Sequence, residues 1–501
     1  MAGHYERLSY LDASFFALES RSTHMHVAAL TVFEAGALQT EDGGIDSARI
    51  RRFVESRLHL MPRYRQRLAY VPFEQAPVWV DDEYFNIDYH VRHTSLPRPG
   101  DREELLALMG RLASQQLDRS KPLWEMWVVE GLAEDRFALI SKTHHSMIDG
   151  ISGVDLMTVL LNLMPVSEVD EPPPYEPRPA PNGTELVVRE TARRVGSALN
   201  TMRSVRRMRG EAQSIAMGGV RRVRAMGYSL SSGWLTPASK TPVNGTVGPN
   251  RRFGTLELPL ADVKKVKNAL GGSVNDVVLA TVAGAMQRYF DETDGVSLPD
   301  DFRVMAPVSV RTADQRGTLG NQVAMWLVSL PVAEPDPVKR LELVIEETDR
   351  LKRTDQALGA ASLVRLSAGA PITLVSLASR LAANARPFNM TVTNVPGPQF
   401  PLYLLEAKLL STYPLVPLWS GHGAGIALFS YDGTLFWGLN ADWDVVPDVD
   451  VLATAIAASF AELVDASEGR APKRAKKKAP KKRPPMGAAP KQADVDASTS
   501  A

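Results

Sequence analysis

The chain has 501 residues, 44% of them apolar, and its 57 Lys and Arg balance its 57 Asp and Glu. That length and apolar share supply two globular domains with cores of their own, while the absence of cysteine excludes disulfides and thiol nucleophiles and points to a reducing compartment. No signal-like apolar run opens the sequence, and no stretch offers the ~18 uninterrupted apolar residues of a membrane-spanning helix, so the expectation is a protein kept in the cytoplasm.

A first folded region is expected over residues 1–168. Helical patterns cover Ile50–Arg67 and Arg102–Gln116, and strand patterns cover Met25–Phe33, Met126–Glu130 and Phe137–Thr143. Pro122-Leu123-Trp124, followed by Trp127, forms an apolar corner that reads by itself as core.

The last of these strands runs into His144-His145-Ser146-Met147-Ile148-Asp149-Gly150. Apolar residues spaced as in a buried helix follow it, from Ile151 through Leu163. Adjacent side chains on a strand point to opposite faces. The two imidazoles therefore share a cleft only if the chain turns between them, so one serves chemistry and the other packs or orients. Three readings compete. Metal binding has suitable ligands but no cysteine and no second histidine at helical spacing. A structural histidine pair is the bland reading. A general base is the third, since an imidazole near its ordinary pKa takes and returns a proton at neutral pH and a nearby carboxylate can fix its tautomer. The tight Asp149-Gly150 turn directly after the pair favours the base.

Residues 169–250 read as a connection. Its proline-rich start, Glu171-Pro172-Pro173-Pro174-Tyr175-Glu176-Pro177, reads as an exposed linker. From Glu185 to Leu230 ten arginines face three glutamates. Val187, Val188, Val195, Leu199 and Met202 interleave with them as a basic helix with an apolar stripe would require. Such a helix suits an anionic membrane surface, or a solvated crossover packed on one face. Without an aromatic residue before Tyr228 it offers nucleic acid no stacking platform. A second basic segment, residues 469–501, holds ten Lys and Arg against Asp494 and Asp496 and reads as disordered, its lysines serving lipid headgroups or solubility.

A second folded region is expected over residues 251–468. Strands are read at Gly254–Leu258, Phe302–Val310, Gln322–Leu330, Asn389–Val395, Ile426–Tyr431 and Thr434–Asn440, with Asp432-Gly433 as a hairpin turn. Helices are read at Leu260–Leu270, Asn275–Phe290, Pro337–Lys352 and Val451–Asp465. In Gly271-Gly272-Ser273-Val274-Asn275-Asp276, helix capping accounts for Ser273 and Asp276, and Asn275 can aim its amide at an oxyanion. Thr391 and Thr393 lie on one face of a strand ending in Asn394-Val395-Pro396-Gly397-Pro398. A hydroxyl there is either a second oxyanion donor or an ordinary strand residue. His422, between glycines, reads as part of a flexible turn.

Taken together these stretches resemble a known family. His144–Gly150 matches the HHxxxDG signature of coenzyme A-dependent acyltransferases, which chloramphenicol acetyltransferase-like enzymes and peptide-synthetase condensation domains share. Leu8–Phe16, Tyr89–His93, Pro122–Trp124, Asn275-Asp276, Pro307–Arg311, Gly320–Gln322 and Asn394–Pro398 resemble the bacterial wax ester synthase/diacylglycerol acyltransferase family, in the family's order and up to about Asp465. The resemblance implies an α/β (α+β) fold of two chloramphenicol acetyltransferase-like domains, mixed sheets backed by helices, with a tunnel at their interface. It implies that His145 is the general base beside His144, that Asp149 is structural, that Asn275 belongs to the active site, and that Pro122, Leu123 and Trp124 line or brace the tunnel. Gly150 and Asn394 join Thr391 and Thr393 as candidate substrate-binding positions. The implied activity is direct O-acyl transfer from long-chain acyl-CoA, a substrate and not a cofactor, to diacylglycerol or a fatty alcohol. No metal or other cofactor is implied. The expected location is the inner membrane face or a lipid droplet, bound peripherally. The alternatives are a non-catalytic coat protein of the same fold and a condensation-type enzyme with another acceptor.

Overall fold

Three sheets organise the residues that the computed structural model describes, which are 3–74, 76–147, 156–193, 196, 236–292, 297–309, 323–353 and 386–468. Asp149, Gly150, most of the arginine-rich segment, Arg311, the Gly320–Gln322 motif and the basic tail lie outside them.

The strands in chain order are β1 (Glu6–Arg7), β2 (His26–Glu34), β3 (Gln66–Tyr70), β4 (Pro77–Asp81), β5 (Val91–Ser95), β6 (Trp124–Leu132), β7 (Arg136–His144), β8 (Leu161–Asn162), β9 (Arg251–Pro259), β10 (Phe302–Ser309), β11 (Val323–Leu330), β12 (Met390–Pro396), β13 (Tyr403–Leu404), β14 (Ala407–Leu415), β15 (Ala424–Tyr431) and β16 (Thr434–Asp442). The longer helices are α1 (Tyr10–Leu18), α2 (Ser47–Arg57), α3 (Arg102–Ser114), α4 (Leu260–Leu270), α5 (Val274–Asp291), α6 (Pro337–Arg353) and α7 (Val449–Ser467).

The first sheet has the order β5-β6-β7-β2-β14-β13-β8. β7 lies at its centre, antiparallel to β6 and β2, with His144 opposite His26 and Thr143 opposite Trp124. Eight of its nine residues are buried, as expected of a central strand covered on both faces. The second sheet has the order β11-β10-β12-β15-β16-β9 and mixes parallel pairs (β10 with β12, β12 with β15) with antiparallel ones. Its helical face buries Val277, Leu279, Met286, Ile456 and Leu463 against Val304, Val392 and Ile426. Asp432 and Gly433 both adopt positive φ (41° and 84°) between β15 and β16, the turn that Asp-Gly favours.

Three expectations change. The helix expected over Ile50–Arg67 starts at Ser47, capped by the Asp46 carboxylate, and ends at Arg57. Short 3₁₀ turns follow, because Pro62 has no N–H to continue the α-helical ladder, and Gln66 already belongs to β3. The proline-rich stretch is docked and not free. The Tyr175 hydroxyl donates to the Arg65 carbonyl at 3.1 Å, and the Arg178 guanidinium grips Asp81 with two 2.8 Å bonds. Leu186 is buried with Val71, Val78 and Val80 beside the small sheet β1-β4-β3.

The third change concerns the domain division at residue 251. β14 comes from the second half of the chain yet pairs with β2 in the first sheet, Leu415 opposite Ala28 and Leu409 opposite Phe33. Leu404, Leu409, Tyr431 and Phe436 accordingly lie in the first core. The halves also meet where α3 crosses β9. The Arg251 N–H donates to Ser114 Oγ at 2.9 Å, and a Cβ on Gly110 would fall 2.7 Å from the Arg251 carbonyl oxygen.

Candidate active site

The histidine pair sits where β7 ends in the single 3₁₀ turn His145–Met147. Both backbones are pinned: His144 N–H donates to the Leu123 carbonyl at 2.9 Å and His145 N–H to the Met25 carbonyl at 2.8 Å. The turn between them sends the rings to different surroundings. Consecutive phenylalanines of α1 receive them, Phe16 stacking on His144 and Phe15 on His145, each with ring centroids 4.2 Å apart.

His144 is 1% exposed. Its Nδ1 accepts from the Ser146 backbone N–H at 3.1 Å and faces Ser146 Oγ at 2.6 Å. An Nδ1 that accepts leaves the proton on Nε2, which lies 3.4 Å from Glu19 Oε1. Glu19, 2% exposed as a side chain, also accepts from Met25 N–H at 2.8 Å and from the Arg119 guanidinium. Burial by itself would raise the Glu19 carboxyl, but His144, the Met25 N–H and Arg119 hold it below the usual carboxylate range. His26, opposite His144 on β2 and 3.9 Å from the same carboxylate, is pushed well down by burial. The carboxylate that orients a histidine here is Glu19. It closes α1 and lies 125 positions before His144, and a lone glutamate at the end of a short helix carries no motif that would reveal it.

His145 is half-buried. No hydrogen bond engages either of its ring nitrogens among the described residues, and Nδ1 is fully enclosed. Burial pushes its pKa to about 4, with the neighbouring His144 adding to the effect and its own backbone carbonyl opposing it. The ring is thus neutral, without a competing partner among the described residues, and held by stacking and by its backbone.

The corner Pro122–Trp124 braces this end of the sheet. Trp124 is fully buried, donates Nε1–H to the Tyr64 carbonyl at 2.8 Å and stacks on His90 at 4.6 Å, while the Leu123 carbonyl holds His144. Lys142, two residues before the pair, is 2% exposed. It ties the end of α3 to the site strand by donating to the Leu112 and Gln115 carbonyls and pairing with Glu125 at 2.6 Å.

The second half supplies the remaining candidates. Asp276 is a cap: its carboxylate accepts from Ser273 N–H and Oγ at 2.7 Å each and from Thr348 Oγ1 at 2.8 Å. Asn275 lies half-buried beside it on the first turn of α5, and no hydrogen bond joins it to His145 among the described residues. Thr391 is 3% exposed, on the face of β12 away from the helices, and its buried hydroxyl has no hydrogen-bond partner among the described residues. Thr393 and Asn394 follow, half-buried. His422 corrects the flexible-turn reading. It is 1% exposed, stacks on Phe388 at 4.2 Å, and its ring nitrogens lie 2.8 and 2.9 Å from the Ser420 and Phe388 carbonyls. Among the described residues no three His, Asp or Glu converge as a metal site would require.

Residues 8–278 match the model of the wax ester synthase/diacylglycerol acyltransferase catalytic domain, and residues 319–464 match that of the family's C-terminal domain. The probable diacylglycerol O-acyltransferase tgs1 of Mycobacterium tuberculosis is 32% identical over 468 residues, covering 92% of this chain and 96% of its own. The probable diacylglycerol O-acyltransferase tgs2 of the same organism is 34% identical over 469 residues, covering 91% and 98%. The solved wax ester synthase/diacylglycerol acyltransferase of Marinobacter aquaeolei VT8 superposes with a TM-score of 0.65 at 26% identity, covering 92% of this chain and 99% of that one. The starter condensation domain of rhizomide synthetase, at 14% identity, a TM-score of 0.53 and coverage of 92% and 95%, shares the fold alone. With both family models matched in order and its relatives aligned along nearly their whole length, the chain belongs to the wax ester synthase/diacylglycerol acyltransferase family.

Proposed function

We propose that the protein is an acyl-CoA-dependent O-acyltransferase that makes triacylglycerol from diacylglycerol, with a long-chain alcohol as the second acceptor. The observation that carries this reading is the state of His145: neutral, stacked on Phe15, with no hydrogen bond to either ring nitrogen among the described residues, and placed where β7 ends. His145 takes the hydroxyl proton as the acceptor oxygen attacks the thioester carbonyl carbon. The tetrahedral oxyanion collapses, the carbon–sulfur bond breaks, and the departing thiolate takes the proton back from the imidazolium. No acyl-enzyme forms. His144 orients the turn through Glu19, and the Thr391 hydroxyl and the Asn275 amide are the oxyanion donors we assign. Asp149 is assigned to shaping the loop after the pair. Pro122, Leu123 and Trp124 are assigned to supporting the wall, and Gly150, Thr393 and Asn394 to substrate binding.

The acceptor is a lipid, so the enzyme works at a lipid surface, bound peripherally to the inner membrane face or to droplets. Support comes from Phe73, 94% exposed at the β3–β4 turn, and Tyr84, 79% exposed, and from the two basic segments of the sequence. Among the described residues no single helix is long and apolar enough to cross a membrane.

The direct test is thiol release by purified protein given palmitoyl-CoA with diacylglycerol or hexadecanol. Release that depends on the acceptor, lost in His145→Ala, is expected. Folded protein that releases no thiol with either acceptor would sink the assignment.

A further inference from the structure

Segment 236–247, read from sequence as part of the connection, is a fixed wall of the second domain. Two buried asparagines hold it. Asn389, fully buried, donates to Asn244 Oδ1 at 2.8 Å and to the Ser239 carbonyl at 2.6 Å, and its own Oδ1 accepts from Arg303 N–H at 2.8 Å. Asn244 donates to the Asn389 carbonyl at 3.0 Å and to the Gly421 carbonyl at 3.2 Å. Gly423 N–H donates to the Val243 carbonyl, and His422 locks the adjoining turn.

Between this wall and the loop before β2 lies a pocket of about 590 Å³, a size ordinary for a small-molecule site. Its lining mixes polar side chains with Pro237 and Val247, and its charged groups are of one sign. Ser22 and Thr23 form one side, and Lys240, Thr246, Arg386 and Ser420 the other, with no carboxylate among the described lining residues. Lys240 is exposed and makes no ion pair among the described residues. Arg386 donates one Nη2–H to the Ala238 carbonyl at 2.8 Å, yet its buried Nε–H has no partner among the described residues. Its backbone sits at φ 44°, the left-handed region that arginine rarely adopts.

The pocket also adjoins the chemistry. Thr23 lies two residues before Met25, whose carbonyl holds the His145 N–H. Arg251 secures the same loop by donating to the Ser22 carbonyl.

We propose that this pocket receives the phosphorylated nucleotide end of the acyl-CoA, with Lys240 and Arg386 pairing its phosphates; the assignment rests on the acyl-CoA reading above. A diacylglycerol has no charge for two cations to meet, whereas a nucleotide carrying several phosphates offers acceptors to both cations and to the four hydroxyl side chains beside them. The rigid asparagine floor means the site is formed before the ligand arrives.

Two measurements test it. In the first, kcat/KM is measured for palmitoyl-CoA and for palmitoyl-pantetheine, which lacks the nucleotide, with wild type, Lys240→Gln and Arg386→Gln. The ratio of the two values within one protein cancels any loss of folded enzyme. The ratio should fall by about tenfold in each variant, as expected for losing one phosphate-pairing cation, and Lys240→Arg should restore it. In the second, adenosine 3′,5′-bisphosphate is titrated calorimetrically into wild type and both glutamine variants, alongside phosphatidylglycerol vesicles. Binding of the bisphosphate that weakens in the variants and with added salt supports the pocket. An unchanged ratio with unchanged bisphosphate binding overturns it. Variants that lose only vesicle binding also overturn it, because the cations then serve lipid headgroups. Bisphosphate binding that depends on both cations, in a protein that transfers no acyl group, keeps the pocket and removes the transferase reading instead.

Discussion

Burial holds the His145 ring uncharged through the physiological range, since its pKa lies at about 4 against an ordinary 6.5. A neutral ring is what a general base requires, so the acid limb of kcat/KM for palmitoyl-CoA should fall well below pH 6. A limb near 6.5 would mean that the ring is solvated in the working enzyme. His145→Ala should lower kcat by about 10²–10⁴-fold, the usual contribution of a positioned base, with the fold intact by circular dichroism. Glu19 tests the orienting role. Glu19→Gln keeps the side chain's shape but replaces the carboxylate that faces His144 Nε2 and Arg119. It should reduce kcat by about tenfold or more with little change in KM, because the Glu19 carboxylate beside His144 Nε2 orients the turn that carries the proposed base. A Glu19→Gln enzyme with wild-type kcat would show that His144 needs no carboxylate.

At the scale of elements, the junction of α3 with β7 rests on Lys142, which satisfies two carbonyls at the end of the helix and the buried carboxylate of Glu125. Lys142→Ala leaves that carboxylate with Arg92, at 3.3 Å, as its one cation among the described residues. Removing one partner of a buried pair costs about 3–5 kcal/mol, which urea denaturation followed by tryptophan fluorescence would register. Much of this level was legible in the sequence. α3, α4, α5, α6, β2, β7, β15 and β16 lie close to where their apolar runs, periodicity and bounding turn or capping residues put them. β14 was not legible. Its Ala407-Lys408-Leu409-Leu410-Ser411-Thr412-Tyr413-Pro414-Leu415 mixes lysine and proline into a weak alternation, and its partner β2 lies some 380 positions away. The candidate site divides in the same way. A contiguous motif announces His144 and His145, whereas Glu19, Phe15, Phe16 and Arg119 reach them through tertiary contacts that no local spacing encodes.

For the whole molecule, several neutral buried histidines couple stability to acid. His90 and His422, each 1% exposed, are pushed by burial to about 4. The unfolded chain binds protons at these rings below about pH 6.5, whereas the folded chain does not until about pH 4. The stabilisation is therefore complete above 6.5 and is lost as pH falls towards 4, by at most about 3 kcal/mol for each ring. Denaturation midpoints should drop across that window, and His422→Asn should flatten the drop. The two halves should also fail apart. Residues 1–168 expressed alone lack β14 and leave β2 as an unpaired apolar edge, so aggregation is expected, with soluble material recovered on co-expression with 251–468.

That shared strand has a further consequence during synthesis. The ribosome delivers β2 and β7 early and β14 near the end, so the sheet carrying both histidines waits with an open edge while most of the remaining chain emerges. A product truncated before Ala407 lacks β14 and cannot complete the sheet that carries both histidines. Completion of that sheet waits for Ala407–Leu415, and the interval before it is when a nascent chain most needs a chaperone on its exposed edge.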